Sequence, residues 1–331
     1  MEGVLRMRYL VTGAGGYIGS VLVPQLLNQG NSVFAVDTFI FGDTLPDHPR
    51  LTIVKTDVRD IFHYGNAWDW DAAIDLAAIS NDPAGELDPA ETWHVNYDAA
   101  FRTAKWAKEK SRIPRYVFAS SCSVYGSSNG VLDERSELNP ISTYSKAKAA
   151  AEKDILALTS DNFYPAIARQ ATVFGVSPRM RFDLVINTFA RDLFLKNQIK
   201  IMGEGEQQRP FIHVQDTANA LIWLTQAILR PTQIFNVGAN WNNFTIDDVL
   251  YDVVDALGVD AFSFERISSP DIRSYKVDFS LIESYGWEAK KTVMAGAYEV
   301  YEALKDGMLD PHDPKTITVD WYKKLKGPRY A

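Results

Sequence analysis

Three glycines spaced three apart, Gly13, Gly16 and Gly19, punctuate the segment Val11-Thr12-Gly13-Ala14-Gly15-Gly16-Tyr17-Ile18-Gly19. Before them Arg8–Thr12 has the apolar run of a buried strand; after them Ile18–Gln29 has helical spacing, with Gly30 as its stop signal. Small residues between a strand and a helix let the main chain approach a pyrophosphate closely. The helix start then presents N–H groups and the positive end of its dipole to that anion. An ordinary tight turn would explain two of these glycines, so the context has to carry the reading. Asp37 supplies it by closing a second strand, Ser32–Asp37. A carboxylate there accepts hydrogen bonds from adenosine ribose hydroxyls and repels a 2′-phosphate, which selects NAD; the alternative is a plain strand-end cap. Asp57 and Val58 follow a third strand, Leu51–Lys55, and stand either at the adenine edge or in an ordinary loop.

Strand-like and helical patterns go on alternating. Ala72–Leu76 and Arg115–Ala119 read as strands. A polar loop spans Ser80–Pro89, and a helix then runs through about Lys110. Thr143–Ala157 has helical spacing, and another strand begins at Ala166–Ala168. Repeated βαβ units predict an α/β fold, a doubly wound parallel Rossmann sheet with a smaller C-terminal α/β substrate-binding lobe. The NAD-binding domain is expected in residues 1–175, with the chain able to cross back later, and the substrate-binding lobe mainly in residues 176–331. Within that second part, Leu184–Lys196, Thr217–Ala227 and Ile246–Leu257 read as helices. Ile199–Met202 and Phe235–Val237 read as strands.

Composition removes several classes of function. At 331 residues and 46% hydrophobic, the chain can bury a large core. A net charge of −8 argues against a broad nucleic-acid surface, which needs clustered Lys and Arg. It leaves room for a diphosphate held by a few local arginines. The single cysteine, Cys122, forbids an intrachain disulfide and fits a reducing compartment. No stretch is apolar for the length of a membrane span, and Met1–Tyr9 lacks a signal-peptide core, so a cytoplasmic protein is expected. His48, His63, His94, His213 and His312 show no metal spacing with one another or with Cys122, and no metal is expected.

Chemistry enters with Tyr144 and Lys148, at i and i+4 on one helix face. A phenol titrates near 10, and an ammonium one turn away stabilises the phenolate and brings it toward neutral acid/base work. Such pairs also arise by chance. Ser121 ends the strand before Cys122-Ser123-Val124-Tyr125-Gly126. Its hydroxyl either shares a substrate proton with Tyr144 or simply caps the following turn. The loop Arg179-Met180-Arg181-Phe182-Asp183 carries charge, so Asp183 and Leu184 are candidate nucleotide contacts, with a solvated loop as the alternative.

Together these motifs resemble the extended short-chain dehydrogenase/reductase family, and within it the NAD-dependent nucleotide-sugar epimerases and dehydratases. The resemblance spans Thr12 to Gly19, Asp57-Val58, Leu76-Ala77-Ala78, Asn96, Ser121 to Gly126, Tyr144 with Lys148, Arg169 to Gly175, Arg209 to Asp216 and Phe235 to Gly238. It implies that Tyr144 is the acid/base, Lys148 its partner on the nicotinamide ribose, and Ser121 the hydroxyl on the sugar oxygen. It places Tyr17, Ile18, Leu76, Ala77, Ala78 and Asn96 beside the cofactor, and Arg209 and Arg273 on the substrate diphosphate, where either arginine taken singly would otherwise read as a surface ion pair. His213, close to Arg209 in the chain, either assists it or is structural. Two departures bear on the reaction. Cys122 and Ser123 stand where the 4,6-dehydratases carry an acidic pair, and Thr172 stands where an amide usually contacts the sugar. Cys122 is either an acid/base for C3 or C5 epimerisation or a buried, inert thiol. The implied function is a C4 epimerase working by transient oxidation, as a homodimer on a nucleotide-diphosphate sugar. The alternatives are a 4-keto-sugar reductase, a dehydratase or decarboxylase, and a silent NAD-binding regulator.

Overall fold

A computed structural model of the chain describes residues 6–64, 70–109, 113–227, 229, 233–268 and 273–326. Lys110, and Asp271 and Ile272 beside Arg273, lie outside them. The chain divides into two compact units whose segments alternate. Met1–Ser120, Ile141–Arg169 and Ala218–Phe235 make the first; Ser121–Pro140, Gln170–Thr217 and Asn236–Ala331 make the second.

The first unit is built on a seven-stranded sheet. Its order is Ile234–Val237, Tyr164–Gln170, Arg115–Ser121, Ala72–Asp75, Arg8–Thr12, Ser32–Asp37, Leu51–Lys55. The pairings from Arg115–Ser121 across to Leu51–Lys55 are parallel. Successive strands grow outward from Arg8–Thr12 on one side, then the chain returns to build the other side. This is the doubly wound Rossmann arrangement, with its switch point between Arg8–Thr12 and Ala72–Asp75, where such sheets bind ligands at the carboxyl ends of the strands. Strands covered on both faces read as unbroken apolar runs, and Tyr9, Leu10, Val11, Ala72 and Ile74 are fully buried. Leu10, Phe34, Trp70, Trp106, Tyr116 and Ile167 join one core, in which the Trp70 and Trp106 rings lie 5.4 Å apart.

Two stretches depart from the sequence reading. The expected loop at 80–89 contains a short helix, Asp82–Gly85, whose N-terminus the Asn81 side chain caps at Ala84 N, 2.9 Å. The expected long helix is an α-helix at Pro89–Trp93, a π segment at His94–Ala99 and an α-helix at Ala100–Glu109. The wider π turn has no periodicity that a 3.6-residue pattern would reveal.

The second unit has its own small sheets, one of them Asn243–Thr245, Gln208–His213 and Thr172–Phe174. The helices Val185–Lys196, Ile246–Leu257 and Val293–Lys305 pack beside them around Phe174, Ile186, Phe189, Phe211, Val249 and Val293. Ile246–Leu257 has local boundaries: Thr245 and Asp248 form a capping box, and Gly258 ends the helix in the left-handed region. His213 is fully buried here rather than free to assist an arginine. Its Nδ1 accepts the Gln215 N–H at 3.2 Å, so the ring proton sits on Nε2 and faces Glu299 Oε2 at 2.9 Å. Lys291 also donates to Glu299.

Glu299 is therefore held down to about 2 despite partial burial, because His213 and Lys291 stabilise its charge. A depressed carboxyl contributes stability that is complete above about pH 4.5 and lost as pH falls toward 2. Allowing for solvent screening, we expect Glu299→Gln to remove about 1–2 kcal/mol at pH 6 and almost nothing at pH 2. Urea midpoints across that range check the difference, and parallel curves for the two proteins would contradict it.

Candidate active site

Gly13 adopts φ +64°, and a β-carbon there would lie 2.7 Å from Leu76 C and Ala77 N. At Gly19 a β-carbon would run into the carbonyl oxygens of Gly13 and Ala14. Both contacts demand glycine, so turn, helix and neighbouring strand end close on one another as a diphosphate cradle requires. Gly16 N–H donates to Gly13 O at 3.1 Å and tightens the turn. Tyr17 is buried, and Ile18 is the N-cap of the helix Gly19–Asn28, which no side chain caps. Asp37 stands at the end of the adjacent strand, its carboxylate accepting from Gly15 N at 3.0 Å and Phe39 N at 2.6 Å. The residues present thus fit a dinucleotide, with a glycine cradle for phosphates and a fixed carboxylate one strand away.

The strand-end residues are held from below. Thr12 Oγ1 accepts the N–H groups of Leu76 and Ala77, both at 3.2 Å, and donates to Asp75 Oδ1 at 2.5 Å. Asp75 is buried and also accepts from Tyr116 Oη at 2.5 Å. Burial pushes the Asp75 carboxyl up, against the pull of Thr12, Tyr116 and the Lys148 charge. Asn96, in the π segment, bridges both main-chain groups of Ile79, accepting at 2.8 Å and donating at 3.0 Å. That bridge fixes the chain just beyond Leu76-Ala77-Ala78. The Asp57 carboxylate is bound to Arg59 at 2.7 Å, which keeps it below the usual carboxylate range, while Val58 is buried.

Tyr144 and Lys148 belong to the helix Thr143–Leu156, whose N-terminus is capped by Ser142 and Ser145. A second grip comes from the short helix the sequence concealed. Asp82 accepts from Ser142 Oγ, Glu86 accepts from Thr143 N at 2.7 Å and Oγ1 at 3.1 Å, and Gly85 lies against the Tyr144 β-carbon. Tyr144 is half-buried and Lys148 almost wholly so. Lys148 Nζ donates to Ala119 O at 2.8 Å and sits 4.4 Å from the centre of the Phe118 ring. Burial lowers its ammonium to about 8, although Asp75 and Glu152 favour the charge. One turn further along the same face, buried Glu152 pairs with Arg169 at 2.7 Å and accepts from Ser120.

In the second unit, Ser121 Oγ accepts from Ser123 N at 3.2 Å, so it does cap the turn Cys122–Tyr125, a bond that leaves its hydroxyl proton able to donate. Cys122 is a buried thiol and Ser123 is buried. Thr172 is half-buried at the start of Thr172–Phe174. The Arg209 guanidinium packs over the Tyr275 ring at 5.2 Å and donates to Arg273 O, bringing the two proposed diphosphate arginines together. Asp183 pairs with Arg181 at 2.9 Å and accepts from Thr318 N at 3.3 Å, which holds its carboxyl low; Leu184 is the N-cap of Val185–Lys196. Among the described residues no cluster of His, Cys, Asp or Glu is placed to hold a metal.

Sequence reasoning missed Asp75, Glu152, Asp82 and Glu86, and quoted Arg169 only as the start of a motif. A carboxylate inside an apolar strand, Ala72–Asp75, was the visible signal for the first of them.

Comparison with known proteins fits this geometry. The family described as "NAD dependent epimerase/dehydratase family" matches residues 9–238. A putative UDP-glucose 4-epimerase of Methanocaldococcus jannaschii is 27% identical over 305 residues, covering 90% of this chain and 98% of that protein. UDP-glucuronic acid decarboxylase 1 of Arabidopsis thaliana is 26% identical, over 95% of this chain and 74% of its own. The solved structure of MoeE5 in complex with UDP-glucuronic acid and NAD superimposes with a TM-score of 0.80 at 28% identity, over 91% of this chain and 99% of that one.

The pair beneath Lys148 is open to direct test. Glu152→Gln takes the counter-charge from a buried guanidinium, a change expected to cost about 3–5 kcal/mol in urea unfolding. Replacing both Glu152 and Arg169 by methionine should cost far less, because no buried charge is then stranded. A single-variant loss below about 1 kcal/mol would mean that the pair does not hold the helix.

Proposed function

The chain belongs to the NAD-dependent epimerase/dehydratase family, and from that premise we propose that it is a nucleotide-sugar epimerase, acting at C4 by transient oxidation to the keto-sugar. The observation that carries this reading is the anchoring of the Tyr144–Lys148 pair. The ammonium is tied to Ala119 in the last half of the strand Arg115–Ser121 and feels Asp75, which bonds the residue opening into the glycine turn.

Gly13, Gly16 and Gly19 cradle the diphosphate of NAD, with Tyr17 and Ile18 at the helix start. Asp37 takes the adenosine ribose, and Asp57 and Val58 face the adenine edge. Leu76, Ala77, Ala78 and Asn96 shape the wall beside the second ribose. When bound, NAD supplies an acceptor that takes a hydride and returns it. The protein's part is proton work and orientation. Tyr144 as phenolate removes the sugar hydroxyl proton, Lys148 stabilises the phenolate and binds the ribose, and Ser121 shares the proton on the sugar oxygen. Arg209 and Arg273 hold the substrate diphosphate with planar forks suited to it, while Asp183 and Leu184 flank the nucleotide. Ser123 and Thr172 contact the sugar, and Cys122 is the buried, inert thiol. Cys122 and Ser123 offer no carboxylate for eliminating water, which supports epimerisation over dehydration. The resemblance to a putative 4-epimerase over 98% of its length supports C4, and the UDP-glucuronic acid held by MoeE5 supports a UDP-linked sugar or uronic acid.

The reading includes a homodimer through the helices around Asp88–Lys110 and Thr143–Ala157, and a cytoplasmic location. Among the described residues no helix is long and apolar enough to cross a membrane.

Purified protein without added cofactor should convert one of UDP-glucose, UDP-glucuronic acid, UDP-N-acetylglucosamine or dTDP-glucose into its C4 epimer, followed by NMR. No conversion of these sugars, with NADH consumed once a nucleotide-linked 4-keto-sugar is supplied, would make it a reductase, and a 4-keto-6-deoxy product would make it a dehydratase. Tyr144→Phe should lower kcat by roughly 10²–10⁴-fold at unchanged melting temperature. Wild-type turnover in that variant would remove the phenol from the mechanism.

A further inference from the structure

Among the described residues three non-glycines have positive φ: Phe39, Asn81 and Asn197. Asparagine tolerates that region, but for a bulky aromatic it is a real outlier. Phe39 holds φ +52° with only 8% of its surface exposed. Strain of this kind persists where the surroundings enforce it, and it tends to mark a working site.

The conformation accomplishes two things. It turns the Phe39 N–H back onto Asp37 Oδ1 at 2.6 Å, while Gly15 N–H holds Oδ2 at 3.0 Å. It also lays the aromatic ring against Gly15, where a β-carbon would sit 2.7 and 2.8 Å from two ring carbons and 3.3 Å from Asp37 Cγ. Gly15 is not one of the three regularly spaced glycines, so its glycine requirement comes from this ring. Glycine turn, strand end and ring form a closed triangle around one carboxylate, all within the first unit.

We propose that Phe39 is a positioning residue that sets the dinucleotide selectivity of this site. The wedge keeps the Asp37 carboxylate between two main-chain donors, so its charge cannot swing away from the adenosine ribose. A carboxylate oxygen accepts more than one hydrogen bond, so each fixed oxygen can still take a ribose hydroxyl. A 2′-phosphate brought to the same place meets an anion that cannot retreat. An aspartate free to rotate would exclude the phosphate far less well. The inference rests on the reading that the glycine turn holds NAD.

Isothermal titration of the full chain, freed of carried-over dinucleotide, with NAD+ and with NADP+ tests this without any turnover. The wild type should favour NAD+ strongly. Phe39→Gly, which relieves the strain and removes the wedge, should narrow the NAD+/NADP+ ratio on the order of tenfold, equivalent to about 1.4 kcal/mol. Gly15→Ala pushes on the ring from the other side and should narrow the ratio in the same way. Phe39→Leu keeps an apolar wedge and should lie between. The two last variants carry the test if Phe39→Gly fails to fold. An unchanged ratio in folded Phe39 and Gly15 variants, with the ratio collapsing in Asp37→Asn, would overturn the proposal and leave Phe39 as packing. A wild type that binds neither dinucleotide would instead overturn the NAD reading, and the proposal with it.

Discussion

Asp75 is the constraint around which the first unit is arranged. An ionised carboxylate placed inside a protein loses its water, and the loss is tolerable only where donors and a counter-charge replace it. Thr12, Tyr116 and Lys148 do so here, from the strands Arg8–Thr12 and Arg115–Ser121 and the helix Thr143–Leu156. Each is thereby fixed in turn. Thr12 orders the main chain of Leu76 and Ala77, Tyr116 is held in its un-ionised state by burial and by the Asp75 charge, and the Lys148 ammonium has a reason to stay beside Ala119 on an interior strand. The group we assign to catalysis is also the counter-charge of a structural acid. Stability and chemistry draw on one interaction.

The helix that carries Tyr144 is held at both ends of its working face. Glu86 and Asp82 grip its first turn, and Glu152, two turns along, is locked to Arg169 and Ser120. Tyr144, Lys148 and Glu152 lie four apart, so they share one stripe of the helix. Carboxylates at a helix N-terminus also complement its dipole, which makes the grip on Thr143 favourable even though Glu86 is exposed. In the mechanism we propose, a phenol on a helix pinned in this way would lose little entropy on meeting the sugar.

Much of this was legible in the sequence wherever the determinants are local. Arg8–Thr12, Ser32–Asp37 and Leu51–Lys55 have the expected bounds because apolar runs stop at Gly, Asn or polar residues. Ile246–Leu257 does because its capping box and Gly258 are adjacent to it. What escaped depends on distance along the chain. Glu152 meets Arg169 from 17 residues away, and His213 finds Glu299 from 86. Asp57 and Asp183 are different, since each is engaged by an arginine two residues off, Arg59 and Arg181, a spacing that was open to inspection. The π segment that turns Asn96 toward Ile79 had no such signal, because a single widened turn leaves no periodic trace.

The alternating order of segments affects how the protein is made. Strand Tyr164–Gln170 is an interior strand of the finished sheet, yet its outer neighbour, Ile234–Val237, is translated some while later. Until that neighbour emerges from the ribosome, the sheet ends in a mainly apolar edge with open main-chain donors and acceptors, a template for another nascent chain. Fast synthesis of the intervening stretch, or a chaperone resting on that edge, would protect the yield of folded protein more than any gain in final stability.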